Sequence, residues 1–592
     1  MMSSALPQPK DAAGQQSLKK TVWEAYDPPG SFVQQLCQHT GITPFLSGLV
    51  SRHAHTLEGG KTFLNPSLQH NLPSPYDLPA IEKATHRICE AILKKEKIAL
   101  WGDYDVDGAT SVSLWMRFLK TCDVPVRVYI PDRFREGYGP NAQGIHTLAQ
   151  ENVTLIITLD CGTTAFEALE TAQKKNVDVV IVDHHAPDVC LPPACAIVNP
   201  KRKDTSEKGQ NMAILAAVGV SFFCLIALRN ALKEKGFYTH RTMPDLRLML
   251  DLVALGTVCD VVPLQGVNRL LVHKGLHVMN QCASQGLSTL IKQANLTHIT
   301  SHHLGFVLGP RLNAGSRMAQ SDLASRLLST ENPEEAQTLA EQLTTLNMTR
   351  KAVEKAVTQE AFEQAKPQRH HPIIVVHSHT WHEGVIGIVA SRLKDAYQRP
   401  VFVITFNTQG GGKGSGRSLP HCDLGHLIQQ AASQNLIEQG GGHKMAGGIS
   451  LTTDQLASFQ AFCLERAQQT PPPPHTTKTF HSVLTFNSLT LDLWEDLKRL
   501  EPFGADNPKP VFLFEHVRLI YQKTFGQYHQ QYEFAQQDNA RATSLIFNAQ
   551  KSSFWPFFKE KPTTPFHILA SPTLDTWRQK IILELEDIVK LS

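Results

Sequence analysis

Long apolar runs are missing from this 592-residue chain. No stretch reaches the roughly 18 uninterrupted apolar residues of a membrane-spanning helix. The longest candidate, 215–228, is shorter and carries Ser221. The first sixteen residues are polar and lack the apolar centre of a secretory signal. Cys-x-x-Cys spacing is also absent. The 11 cysteines are odd in number and scattered, which argues against zinc ribbons and a disulfide framework and for reduced thiols in the cytoplasm. Net charge is scarce: 57 Lys and Arg against 54 Asp and Glu leave +3, too little to advertise a nucleic-acid partner. A basic groove can still hide inside such a total. The pattern Gly-x-x-x-x-Gly-Lys-Ser/Thr does not occur, so nothing supports P-loop nucleotide binding.

What is present is ordinary globular chemistry, 42% hydrophobic and 19% charged, long enough for about four domains. Residues 1 to about 80 are rich in Pro and Gly and read as a loosely structured lead-in with short helices. From 81 to 96 a helix shows an apolar face of Ile81, Ala84, Ile88 and Ile92. Short, mostly apolar runs at 98–101, 126–130, 154–159, 177–182 and 196–198 then alternate with helical patterns at 109–119 and 165–174. Strands apolar on both faces, separated by helices, predict a parallel α/β sheet. Residues 212 to about 325 read as mostly helical. A helix without glycine follows from 333 to 364, with its one proline in the first turn. A second α/β unit spans 372 to about 468, with strands at 373–376 and 401–406. The four prolines 471–474 read as a stiff linker. Alternating segments at 511–519, 542–547, 566–570 and 580–585 predict a small β-barrel or sandwich.

The chemistry concentrates at strand ends. Asp103-Tyr104-Asp105-Val106-Asp107-Gly108 follows the first buried strand. Asp160 follows another, and Asp183-His184-His185 a third; Asp260 ends a helical apolar run. Ligands bind at the carboxyl ends of strands in such sheets, and the ends share one rim. Carboxylates crowded there repel one another unless a cation sits between them. A calcium loop is a weak alternative, because Leu114 stands where its glutamate belongs. Oxygen-rich sites with one or two histidines suit Mn²⁺ or Mg²⁺, and four or more carboxylates suit two ions. Ions about 3.5–4 Å apart can activate water for in-line displacement at phosphorus.

These motifs are similar to motifs I to IV of the DHH phosphoesterase superfamily. The likeness runs from about residue 63 to the end and is greatest to the bacterial exonucleases specific for single strands. It implies an α/β fold: a DHH parallel-sheet core, an α/β DHHA1 domain joined by a long helix, and a C-terminal OB-like β-barrel. The corresponding divisions are a lead-in 1–80, a DHH domain 81–325, a connecting helix 326–368, a DHHA1 domain 369–470 and a barrel 475–592. The resemblance implies that Asp105, Asp107, Asp160, His184 and Asp260 hold two divalent cations, Mn²⁺ or Mg²⁺, with Asp160 bridging them. It sets His185 against the scissile phosphate and leaves Asp103 and Asp183 in supporting roles. Asp105, Asp107, Asp160, His185 and Arg311 would form the catalytic group.

Gly309-Pro310-Arg311-Leu312-Asn313-Ala314-Gly315 resembles the family's arginine motif, so Arg311 and Asn313 are aligned with phosphate-gripping positions. The family often reads Asn-Ala-Ala-Gly-Arg there; this chain reads Asn-Ala-Gly-Ser-Arg, which leaves the role of Arg317 open. Glycine-rich signatures at 381–387, which opens a helix, at 412–418 and at 440–448 resemble the DHHA1 domain, in which Ser415, Arg417 and His443 would clasp the strand, as His185, Arg311 and Asn313 would in the core. Phe512, Phe514, Tyr521, Tyr528 and Phe534 are candidate base stackers of the barrel, although alternation buries about half of such a set. The implied activity is metal-dependent 5′-to-3′ removal of 5′-mononucleotides from single-stranded DNA, in repair and recombination. The implied setting is a cytoplasmic monomer working with a single-stranded-DNA-binding protein and a helicase, with no membrane. Two readings stay open beside it: a phosphodiesterase for short or cyclic dinucleotides, and a catalytically silent DNA-binding subunit.

Overall fold

Five strands rich in Val, Ile and Leu form the first sheet, in the order Val126–Tyr129, Ile98–Gly102, Leu155–Leu159, Asp178–Val182, Ala196–Val198. All are parallel. Helices cover them, so the central strands are buried along their whole length. The computed structural model describes residues 17–469, 476–575 and 578–591. The first sixteen residues and the 471–474 proline run lie outside them. The described chain falls into two units. Among the described residues, one combines 74–260 with 274–469; the other combines 17–73, 261–273, 476–575 and 578–591.

In the first unit the helix Pro333–Ala365 is 33 residues long and starts at Asn332, whose side chain accepts from the amides of Glu334 and Glu335. The second sheet of this unit runs Gln439–His443, Ala446–Thr452, Gly411–Arg417, Val401–Phe406, Ile374–Ser378. Only the last two strands are parallel to each other.

Two of the glycine-rich runs, 412–418 and 440–448, therefore lie largely in strands, while 381–387 opens the helix Glu383–Tyr397. In Gly412-Lys413-Gly414-Ser415-Gly416-Arg417 the period is two. A Cβ on Gly412, Gly414 or Gly416 would come within 2.5–2.6 Å of Phe406, Ile449 or Phe402. Glycine on that face lets large apolar side chains close against the backbone. Lys413, Ser415 and Arg417 occupy the opposite face.

In the second unit five strands close a barrel in the order Phe512–Phe525, His529–Ala535, Arg541–Ile546, Lys580–Lys590, Phe566–Asp575. Residues 17–73 share its core. Leu36, Leu46 and Phe63, from the helices Gly30–Thr40, Pro44–Val50 and Leu57–Leu64, belong to one cluster with Phe512, Phe514 and Phe534. The strand Thr21–Ala25 pairs in parallel with Thr476–Phe480. This segment is structural, rather than the loose lead-in its composition suggests. Of the five candidate stackers, Phe512, Phe514 and Phe534 are fully buried core, while Tyr521 and Tyr528 are about half exposed.

Candidate metal centre

Strand register builds one rim. Asp103, Asp160 and Asp183 each follow the last residue of their strand, and each donates its N–H to the last carbonyl of the next strand. The bonds are Asp103 to Leu159 at 3.2 Å, Asp160 to Val182 at 3.0 Å and Asp183 to Val198 at 3.1 Å. Asp105 caps the helix Val106–Thr121, its carboxylate accepting from Gly108 N at 3.0 Å. Gly108 has no room for a side chain: a Cβ there would lie 2.4 Å from the Asp103 carbonyl oxygen. Asp107, in the first turn of that helix, accepts from Ala217 N at 2.6 Å and Val218 N at 2.9 Å, the first amides of the helix Ala217–Glu234. Asp260 closes the helix Leu250–Cys259.

His184 sits in the middle. Its Nδ1 is 3.1 Å from the Leu215 carbonyl, which can only accept, so Nδ1 carries the proton. The unprotonated Nε2 then faces Asp160 Oδ1 at 3.4 Å, Asp260 Oδ2 at 3.5 Å and Asp107 Oδ2 at 3.9 Å. Burial first, and then His185, pull His184 down to about 3, so it stays neutral. Burial, followed by neighbouring carboxylates, pushes Asp107 up to about 7, Asp260 to about 9, and Asp103 and Asp160 well above the ordinary range. His184 Nε2, Asp160 Oδ1, Asp260 Oδ2 and Asp103 Oδ1 are buried without a hydrogen-bond partner. A lone pair pointing at carboxylate oxygens is repulsive unless a cation lies between them. The donor set therefore fits a divalent metal on this chain's own geometry. Ligand atoms come together in three overlapping groups: Asp107, His184 and Asp260; Asp160, His184 and His185; Asp103, Asp105 and Asp160. All five expected metal ligands thus lie at one place, with Asp160 in two groups.

His185 behaves differently from its neighbour. Its Nδ1 is 2.7 Å from Asp183 Oδ1. Burial alone would lower His185, but the Asp183 bond and charge outweigh it and raise the imidazole to about 9. Burial would likewise raise Asp183; bonds from His185 and the Thr163 amide hold it well below the carboxylate range. Asp183 thus orients and charges His185.

Beside the carboxylates lies a group of arginines. Burial and then Arg133, Arg350 and Arg417 push Arg317 down to about 10, with Asp105 acting in the opposite sense. Arg317 Nη1 donates to the Gly384 carbonyl at 3.1 Å. Arg417 Nη1 donates to Ser415 Oγ at 3.1 Å. A Cβ on Gly387 would meet both Arg417 Nη2 and Ser415 Oγ at 3.1 Å, so the glycine makes room for them. Arg133 stacks on the Tyr104 ring, 4.9 Å from its centroid. Mutually repelling guanidinium groups beside a carboxylate cluster offer the charge and forked donors that an anion such as a phosphate could use.

Arg311, the arginine the sequence pattern favoured, donates to the Val307 carbonyl at 2.7 Å, a bond to the preceding turn. The group near Asp105 contains Arg317, while Arg311 keeps its Nε buried without a hydrogen-bond partner. Asn313 is half-buried on the helix Gly309–Met318, and His443 is exposed on the edge strand Gln439–His443. Sequence reasoning missed Arg133 and Tyr138. Their available signal was Pro131-Asp132-Arg133-Phe134-Arg135-Glu136-Gly137-Tyr138-Gly139, a polar loop directly after a strand of the same sheet.

Residues 97–257 match the DHH family N-terminal domain, 370–469 the DHHA1 domain and 481–587 the RecJ OB domain. A single-stranded-DNA-specific exonuclease RecJ of Haemophilus influenzae is 34% identical over 467 residues, which cover 77% of this chain and 80% of that protein. The chain belongs to the RecJ family. The Bacillus subtilis RecJ is also 34% identical, over 507 residues covering 84% of this chain, which spans 62% of that relative's length. The crystal structure of Thermus thermophilus RecJ in complex with Mn²⁺ superposes with a TM-score of 0.80 at 27% identity, covering 96% of this chain and 80% of that one. The same protein has been solved with Mg²⁺, at a TM-score of 0.74. The RecJ architecture of parallel-sheet core, DHHA1 domain and five-stranded barrel is the architecture found here. Among the described residues, no helix is long and apolar enough to cross a membrane.

Proposed function

We propose that this chain hydrolyses single-stranded DNA from the 5′ end, releasing 5′-mononucleotides in DNA repair and recombination. The observation that carries the reading is the buried, unprotonated Nε2 of His184 facing three aspartates. Asp105, Asp107, Asp160, His184 and Asp260 would hold two divalent cations, Mn²⁺ or Mg²⁺. When bound, such cations supply Lewis-acid chemistry, acidifying water and offsetting charge that develops on the phosphate.

The chain's own groups do the rest. His185, oriented by its bond to Asp183, would face the scissile phosphate and donate a hydrogen bond to a non-bridging oxygen in its protonated form. Arg133, Arg317 and Arg417, with Ser415 Oγ, grip a terminal phosphate and set which bond meets the carboxylate cluster. The glycine-backed strands of the second sheet let the sugar-phosphate chain approach backbone amides, with His443 at their edge. The same reading has the enzyme act as a cytoplasmic monomer on strands opened by a helicase and coated by a single-stranded-DNA-binding protein.

The test is digestion of a single strand labelled separately at each end, with Mn²⁺ and then with EDTA. The expected result is immediate release of the 5′ label as a mononucleotide, late release of the 3′ label, and no release in EDTA. Simultaneous release of both labels, or cleavage in EDTA, would sink the reading.

A further inference from the structure

The loop after the strand Val126–Tyr129 ends in Gly137-Tyr138-Gly139. Both glycines are left-handed, at φ +82° and +78°, a conformation that strongly favours glycine and that presents Tyr138 from a sharply turned backbone. Tyr138 is half exposed, at 49%, with its hydroxyl turned toward Asp160 and His185. The hydroxyl oxygen lies 3.0 Å from the Asp160 carbonyl oxygen, 3.1 Å from His185 Nδ1 and 3.5 Å from His185 Nε2. The two rings meet edge to face, with centroids 5.6 Å apart.

The protons in this network have one consistent arrangement. The Asp160 carbonyl only accepts, so the single phenolic proton goes to it. The phenolic oxygen is then an acceptor facing His185. Nδ1 of His185, 2.7 Å from the Asp183 carboxylate, must carry a hydrogen. That N–H is therefore forked between Asp183 Oδ1 and Tyr138 Oη, and the ring is held from two directions. The carbonyl that anchors the phenol belongs to a residue with φ +64°, a left-handed geometry that costs a non-glycine residue about 1–2 kcal/mol. One hydroxyl thus links the strained peptide of a carboxylate ligand to the imidazole beside it.

We propose that Tyr138 is a positioning residue for the hydrolytic reaction, its hydroxyl fixing the orientation of His185 against the substrate phosphate. This rests on the nuclease reading above and names a residue that reading does not use. Tyr138→Phe keeps the ring and removes only the two hydrogen bonds. Loss of a hydrogen bond that fixes a reacting group's orientation, about 1–1.5 kcal/mol, corresponds to a fall in kcat of roughly 10-fold. The strand's KM should stay within about twofold, because the interaction acts on the reacting geometry and not on strand binding. The melting temperature should not change.

Two further measurements separate positioning from a structural role. In a His185→Ala background Tyr138→Phe should cost nothing more. In the metal-free protein with ring-¹⁵N histidine, the His185 Nδ1 resonance, assigned by its loss in His185→Ala, should move in Tyr138→Phe. Wild-type kcat in Tyr138→Phe, an equal loss in the His185→Ala background, or an unmoved resonance would each overturn the proposal. Absence of nuclease activity in the wild type is the separate failure of the underlying reading, and the resonance measurement then decides alone.

Discussion

Adding Mn²⁺ to the metal-free protein should expel protons, and Asp107 and Asp260 set a lower bound on the number. Asp107 at about 7 and Asp260 at about 9 hold protons at neutral pH because both are buried and sit among like charges. A cation binds the carboxylate forms. At pH 7 Asp107 is about half protonated and Asp260 almost fully, so these two release about 1.5 protons per chain, falling to about 0.5 at pH 9. The same groups set the stability of the metal-free protein. A carboxyl whose pKa rises on folding keeps its proton in the native state after the unfolded chain has lost it, so stability falls as pH rises between the two values. Moving Asp107 from 3.8 to about 7 corresponds to about 4 kcal/mol lost above that range. His185, raised to about 9, acts in the same sense, since its stabilisation is complete below 6.5 and lost as pH passes 9. Asp183, held low, is ionised throughout this window and contributes no slope. The assay is Mn²⁺ titration calorimetry in two buffers of different ionisation enthalpy, with melting curves in EDTA from pH 6 to 9. Asp260→Asn should remove about one of the released protons at pH 7. Proton-neutral Mn²⁺ binding, or a metal-free melting temperature that climbs from pH 7 to 9, would refute the reasoning.

Gly108→Ala should destabilise the chain by about 1–3 kcal/mol in urea unfolding and abolish activity, because the new Cβ would displace the Asp103 backbone it meets at 2.4 Å. Arg317→Gln should raise KM for a 5′-phosphorylated strand about tenfold and narrow its advantage over a 5′-hydroxyl strand, while Arg311→Gln should leave that advantage intact. Comparing kcat/KM on the two substrates checks both arginines at once.

Much of the metal centre was legible because its elements are locally encoded. Strands buried on both faces read as uninterrupted apolar runs, so the aspartates that end them stand out, and parallel register carries them to one rim. The long helix was equally plain, from its glycine-free stretch and its proline start. Other features depend on partners far away in the chain. Gly412, Gly414 and Gly416 look like a flexible loop until Phe402, Phe406 and Ile449 are seen to need that space. The choice between Arg311 and Arg317 turns on helix phase relative to a second domain, which no short motif contains. Phe512, Phe514 and Phe534 have the composition of a stacking face, but the helices of residues 30–64 cover them. Leu36 and Leu46 gave no hint of that partner, since a helix's periodicity shows that it has an apolar face and not what covers it.

The barrel unit has a consequence for how the protein is made. Thr21 Oγ1 donates to Asp587 Oδ2, and Trp23 Nε1 to the same carboxylate oxygen at 3.0 Å, groups 566 and 564 residues apart. A ribosome adding about 5–20 residues per second needs roughly half a minute to two minutes to cover that interval. Throughout it the apolar faces around Leu36, Leu46 and Phe63 have emerged and their partners have not been synthesised. The parallel-sheet unit, contiguous apart from 261–273, can assemble during that wait. Residues 17–73 emerge long before their barrel partners and wait longest to find their place, so this stretch of nascent chain has the greatest need of a chaperone.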